Sequence, residues 1–198
     1  MPIIRCRILW MHYRYVLAVG AACGWDLAPP LEGSFPGSIR LTAPRMTQGG
    51  QDLPQNGYFD GREHRFALRV YYEDTDLSGV VYHANYLRYM ERARSDMLRV
   101  AGIDQRAAFE AGEGAYAVAE LAIRYRAPAR LDDALVVASR VVAVRAASIV
   151  IHQTVRRGAV VLTEADVTAA LVAPGGRARR QPRDWLAIYE RLIWQGDS

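Results

Sequence analysis

The sequence predicts an α+β domain in which one antiparallel sheet packs against one long helix. Two observations carry that expectation: after Gly114 the chain is a run of β-type segments joined by turn residues, and before it lies a single extended stretch of helical spacing. So few helices cannot supply the crossovers of a parallel sheet. With 198 residues, 51% of them hydrophobic, the chain can bury one ordinary core.

The elements follow in order. Residues 1–60 carry Pro29, Pro30, Pro36, Pro44, Pro54 and many glycines, and they keep no period of 2 or 3.6. A poorly structured extension is expected there, with the folded domain over residues 61–198. Arg5, Arg7 and Arg14 precede the apolar run 15–23, a superficial likeness to an export signal. His12 and Arg14 interrupt it, and the run is shorter than the roughly 20 residues a membrane span needs. It reads instead as a floppy leader or a gene-start artefact with Met46 as initiator, and no membrane span is expected.

From His64 the pattern sharpens. Phe66, Leu68, Val70 and Tyr72 alternate with Arg65, Ala67, Arg69 and Tyr71, which predicts a half-buried strand running up to a loop over 73–81. Tyr86, Met90, Ala93, Met97 and Ala101 then fall on one side of a helix, with Arg88, Arg92, Ser95 and Arg99 on the other and Gly102 as its stop. A short second helix is expected from its N-cap Asp104 to Ala111, with Gly112 as its stop. Strands are predicted over 115–125, 135–144, 148–156 and 159–172. Pro128, Asp132 and Asp133 separate the first pair, and Arg157-Gly158 marks a tight hairpin. Pro174, Gly175 and Gly176 end the sheet, and Pro182 opens a last helix reaching Ile193. One sheet against one helix leaves a face or an edge uncovered, so a homodimer or homotetramer is expected.

Composition narrows the chemistry. The two cysteines, Cys6 and Cys23, leave everything after them without a disulfide, which favours a reducing, cytoplasmic setting. His12, His64, His83 and His152 have no paired ligand spacing, so neither a metal nor another cofactor is expected. The formal charge of +4 comes from arginines spread singly, apart from Arg177, Arg179 and Arg180. That distribution suits a phosphorylated small molecule better than nucleic acid, which calls for a stripe or a recognition helix, and no nucleic-acid partner is expected.

The informative segment is 71–86, Tyr-Tyr-Glu-Asp-Thr-Asp-Leu-Ser-Gly-Val-Val-Tyr-His-Ala-Asn-Tyr. A carboxylate-rich loop leaves a strand, Gly79 permits a tight bend, and a helix begins at the histidine. Unpaired amides at a helix start carry roughly half a positive charge and suit an oxyanion. A carboxylate opposite them completes the two halves of an acyl-transfer site.

This run resembles the signature of the 4-hydroxybenzoyl-CoA thioesterase family, in detail its Tol-Pal-associated acyl-CoA thioesterase branch. The likeness extends from near His64 to about Arg180, includes the stretch 125–133, and does not cover residues 1–58. It implies a hotdog fold, an antiparallel sheet wrapped around a central helix, and hydrolysis of an acyl-CoA to a free acid and coenzyme A. It also implies Asp76 as nucleophile or general base, the His83 amide as the carbonyl-polarising donor with its imidazole assisting proton transfer, and Tyr72 as a positioning group. Gly79, Val81, Tyr82 and Asn85 of the same run are the expected substrate-binding residues. Arg126 and Arg130, beside Arg124, are expected to meet the phosphates of coenzyme A. Ser78 stands where many relatives carry glycine.

Each assignment has a plainer counterpart. Asp76 is also the kind of residue that caps turn amides, His83 the kind that merely starts a helix, and Tyr72 shares its predicted face with Phe66 and Leu68. Glu73 and Asp74 are read as loop anchors. The alternative function is a non-catalytic binder of acyl thioesters or of acyl carrier protein, itself a second candidate partner. A thiol-release assay separates that reading from hydrolysis.

Overall fold

The computed structural model describes residues 55–196; the predicted leader, Cys6, Cys23 and Met46 lie outside them. Strands β1 (Tyr58–Asp60) and β2 (Glu63–Arg69) are followed by helices α1 (His83–Val100) and α2 (Gln105–Glu110). Strands β3 (Ala115–Tyr125), β4 (Ala134–Val144), β5 (Ser148–Arg157) and β6 (Val160–Val172) come next, and helix α3 (Arg183–Leu192) closes the order. The six strands form one antiparallel sheet in the order β1-β2-β4-β5-β6-β3.

Alternation decides which face of the sheet is covered. Leu135, Val137 and Val141 of β4, Ile149, Ile151 and Val155 of β5, and Ala165, Val167, Ala169 and Leu171 of β6 are all buried. Helix α1 lies on that face, against β2, β4 and β5. Its first half buries Tyr86, Tyr89, Met90 and Ala93 over Leu135, Val137, Val155 and Val167. Its last turns bury Met97 and Leu98 with Ile149, Ile151 and, from α3, Trp185 and Tyr189. Between the two clusters sits a polar pin. Buried Arg94 donates to Gln153 Oε1 at 2.6 Å, and Gln153 donates to the Met90 carbonyl at 3.1 Å and to Ser139 Oγ at 2.9 Å. The Arg94 charge is matched by Glu91 on the same helix. A buried polar group is tolerated when its bonds are made, and these fix how the helix sits on the sheet.

Three expectations change. Strand β3 does not pair with β4; β2 takes that place, and β3 crosses to the far edge against β6. The connection through Pro128 is long enough to carry the chain across the sheet, whereas Arg157-Gly158, with Gly158 at φ 57°, makes the tight hairpin expected of it. Residues 58–60, assigned by composition to the extension, are a strand paired with β2. The third concerns Tyr72. The ladder of β2 ends at Arg69, the Tyr71 amide donates to Asp74 Oδ2 at 2.8 Å, and a 3₁₀ turn over Tyr72–Asp74 replaces the expected strand. Tyr72 is therefore 83% exposed and takes no part in the core with Phe66 and Leu68.

Candidate active site

The loop between β2 and α1 is pinned at both ends, which leaves a short bend to carry the chemistry. Asp74 is buried beneath it, and its carbonyl accepts from the Tyr82 amide and from Asn85 Nδ2, each at 2.9 Å. The Val81 amide donates to the Ala129 carbonyl at 2.9 Å, and the Ala129 amide donates to Tyr86 Oη at 2.8 Å. Thr75 and Val81 face each other as an isolated antiparallel bridge. Within that bridge the Asp76 amide donates to the Val80 carbonyl and the Gly79 amide to the Asp76 carbonyl, both at 3.0 Å. Gly79 has φ 74°, a conformation that costs a residue with Cβ strain.

Asp76 sits on this bend, exposed. Its Oδ1 accepts from the Ser78 amide at 2.8 Å and from Ser78 Oγ at 2.5 Å. The Ser78 hydroxyl first, then the Ser78 amide, hold the Asp76 carboxyl below its ordinary range, and the nearby charge of His83 acts in the same direction. Asp76 is therefore a carboxylate on the bend that leads into α1.

The helix start is open. Its N-cap, Tyr82, provides no side-chain acceptor, and the first turn holds no acidic residue. The amides of His83 and Ala84 have no acceptor among the described residues. The His83 ring lies 4.4 Å from that of Tyr82 and edge-on to Tyr125, 6.4 Å between centroids. Tyr125 Oη donates to the His83 carbonyl at 3.0 Å, so the last residue of β3 braces the first residue of α1.

The remaining expected site residues divide into two groups. Gly79 and Tyr82 stay on the surface beside Asp76 and His83. Val81 is buried in the core, and buried Asn85 spends its side-chain amide on Asp74, so both shape the loop from below. Arg130 reaches the bend: a Cβ placed on Gly79 would lie 3.9 Å from its Nη1, and its guanidinium has no acceptor among the described residues. Arg126 is instead engaged, with Nη2 2.5 Å from Glu164, which also takes Arg124 at 3.4 Å. Periodicity could not have told these arginines apart, because their partner is a carboxylate on β6. Among the described residues no three His, Cys, Asp or Glu side chains gather to hold a metal.

The family model of the thioesterase superfamily matches residues 78–164, from within the bend into the first half of β6. An acyl-CoA thioesterase, YbgC of Haemophilus influenzae, is 44% identical over 110 residues, 56% of this chain and 81% of that protein. The chain belongs to the thioesterase superfamily. The acyl-CoA thioester hydrolase YbgC of Escherichia coli is 42% identical over 129 residues, covering 64% of this superfamily member and 96% of the relative. A crystal structure of a probable thioesterase from Bartonella henselae aligns with a TM-score of 0.58 at 36% identity, over 61% of this chain and 99% of that one. The sheet and its covering helix are thus the hotdog fold of this superfamily.

Proposed function

We propose that the protein hydrolyses the thioester of an acyl-CoA, with Asp76 as the reacting carboxylate and the α1 start as the oxyanion site. One observation carries this reading: a carboxylate on a hydrogen-bonded bend leads into an uncapped helix N-terminus whose His83 amide has no acceptor among the described residues. The thioester carbonyl oxygen, turning negative as the carbon is attacked, would accept from that amide in the field of the helix. Asp76 either attacks the carbonyl carbon, forming an acyl anhydride and expelling the coenzyme A thiolate, or takes a proton from the water that attacks. In the first route a water then opens the anhydride, releasing the free acid and restoring the Asp76 carboxylate. Hydrolysis of a single turnover in ¹⁸O-water separates the two, since the anhydride route can leave label in the Asp76 carboxylate.

The other residues take supporting roles. Arg130 supplies a cation for a phosphate of coenzyme A. Tyr72 and Tyr82, exposed on either side of the bend, position the acyl group, and the His83 imidazole assists proton transfer. A second copy of the chain completes the site, because β3 is an exposed edge and its end touches His83 through Tyr125. The assembly is then a homodimer or a pair of dimers acting in the cytoplasm, and acyl carrier protein is the alternative thioester donor. No helix among the described residues is long and apolar enough to cross a membrane.

Release of free thiol from short, long and aromatic acyl-CoA substrates tests the activity. Asp76→Asn should lower kcat at least about a hundredfold, the scale of one acid-base group, with assembly unchanged. Near-normal turnover by folded Asp76→Asn would remove Asp76 from the mechanism.

A further inference from the structure

Asp76 is held by more than its turn requires. The bend is already closed by the two main-chain bonds between Asp76 and Val80 and between Gly79 and Asp76. Beyond these, Oδ1 receives both Ser78 donors, the amide at 2.8 Å and the hydroxyl at 2.5 Å, whereas Oδ2 has no donor among the described residues. A carboxylate on an exposed bend would otherwise exchange its oxygens by rotation about its terminal torsion, which is broad and nearly twofold.

We propose that Ser78 is the positioning residue of Asp76: its hydroxyl locks the carboxylate with Oδ1 held in the loop, so that Oδ2 is the oxygen that attacks or takes the proton. The inference rests on the reading of Asp76 as the reacting carboxylate. It assigns the two oxygens different work and gives Ser78 a catalytic consequence without contact to substrate.

Orientation of the reacting group is the first consequence. A carboxylate free to turn spends part of its time with the wrong lone pair toward the carbonyl, and fixing it removes that loss. The second consequence is the pH at which Asp76 works. Two donors to one oxygen stabilise the ionised form, so the carboxylate persists to lower pH than it would without them. The charged groups around it act from three directions. His83 faces it from the start of α1 and favours ionisation. Arg130 approaches at Gly79 from the connection before β4. Glu73 and Asp74 precede it on the 3₁₀ turn, with Asp74 directed away to the Tyr71 amide. None of these donates to Asp76, so the hydroxyl of Ser78 is the contact whose removal can be read separately.

The experiment compares the full-length wild type with Ser78→Ala, which removes the hydroxyl and keeps the amide, with Ser78→Thr, which keeps both, and with Asp76→Asn. Ser78 is exposed and has ordinary φ, so none of these changes touches the core. Steady-state kinetics with an acyl-CoA are recorded from about pH 2.5 to 8, a range that extends below the ordinary aspartate value of about 3.9 and so reaches the carboxylate limb. Ser78→Ala should lower kcat by about three- to tenfold with little change in KM, a smaller loss than removal of the carboxylate itself. The acid limb of its kcat/KM profile should move to higher pH, and Ser78→Thr should restore both. A Ser78→Ala enzyme with the wild-type acid limb, whether or not kcat falls, overturns the assignment, as does a defect that threonine fails to rescue. If Asp76→Asn is inactive while Ser78→Ala is unaltered, only the role of Ser78 fails. Normal turnover by Asp76→Asn would sink the reading of Asp76 on which it rests.

Discussion

Arg126 and Arg130 stand on one connection, yet tertiary contacts give them different work. Glu164 neutralises Arg126 across the outer face of β6, while the guanidinium of Arg130 arrives beside Gly79 with no acceptor for its donors among the described residues. A phosphate of coenzyme A would meet Arg130 first. Arg130→Ala should raise KM for an acyl-CoA about five- to tenfold with kcat nearly unchanged, the signature of lost uniform binding. The increase should vanish with a short N-acetylcysteamine thioester, which lacks the nucleotide, and Arg126→Ala should change KM less than about twofold. Equal loss with both substrates would move Arg130 out of nucleotide binding. At this scale the sequence singled out Asp76 and the start of α1 as candidates, and it placed the start of that helix at His83, because an acidic bend before a helix has a local chemical meaning. It could not show that Val81 and Asn85 face inward, since burial of a loop residue depends on what lies beneath the loop.

Helix α1 is tied to the leading strands by an element the pattern did not announce. His64 is fully buried on the inner face of β2, and its Nε2 lies 2.9 Å from Asp96 Oδ2, which also accepts the Gly57 amide at 2.7 Å. Asp96 is in turn paired with Arg99. Gly57 has no room for a side chain, since a Cβ there would come within 2.5 Å of His64 Nε2 and 2.6 Å of the Arg65 carbonyl. Burial lowers the His64 pKa from 6.5, with the Asp96 hydrogen bond and charge opposing it, so the folded protein favours the neutral ring. The unfolded chain then binds a proton more readily than the native one. This contribution to stability is intact above about pH 6.5, falls as the pH drops through that value, and levels off below the folded-state pKa. Thermal melts of the wild type should therefore lose stability between neutral pH and about pH 5 more steeply than those of His64→Asn, which cannot titrate. Parallel curves would show that His64 is not the titrating group.

For the molecule as a whole, the sheet ends on a strand that is long, exposed and partly apolar. Strand β3 runs eleven residues along the edge, with Val118 49% and Tyr125 44% exposed. Unpaired strand edges of this kind recruit another strand unless something blunts them. Because Tyr125 braces His83, a second copy added along β3 would close the side of the site that one chain leaves open to solvent. A lysine placed on the edge, Val118→Lys, should shift the protein toward monomer in sedimentation and lower kcat/KM at least about tenfold, as the closing wall is lost. A folded monomer with full activity would show that one chain is sufficient.

Sequence by itself determined most of the elements and singled out the candidate motif. Alternation at period two marked the strands, helical spacing placed α1 within the residues it occupies, and the acidic bend with its glycine named Asp76 and His83, all properties carried by near neighbours in the chain. Tertiary structure alone decided that β2 and not β3 lies beside β4, that Arg126 is engaged by Glu164 while Arg130 lies at the bend beside Gly79, and that His64 serves the core. Each of these depends on a partner dozens of residues away, which no local period encodes, and on burial, which exists only once the sheet and the helix have met.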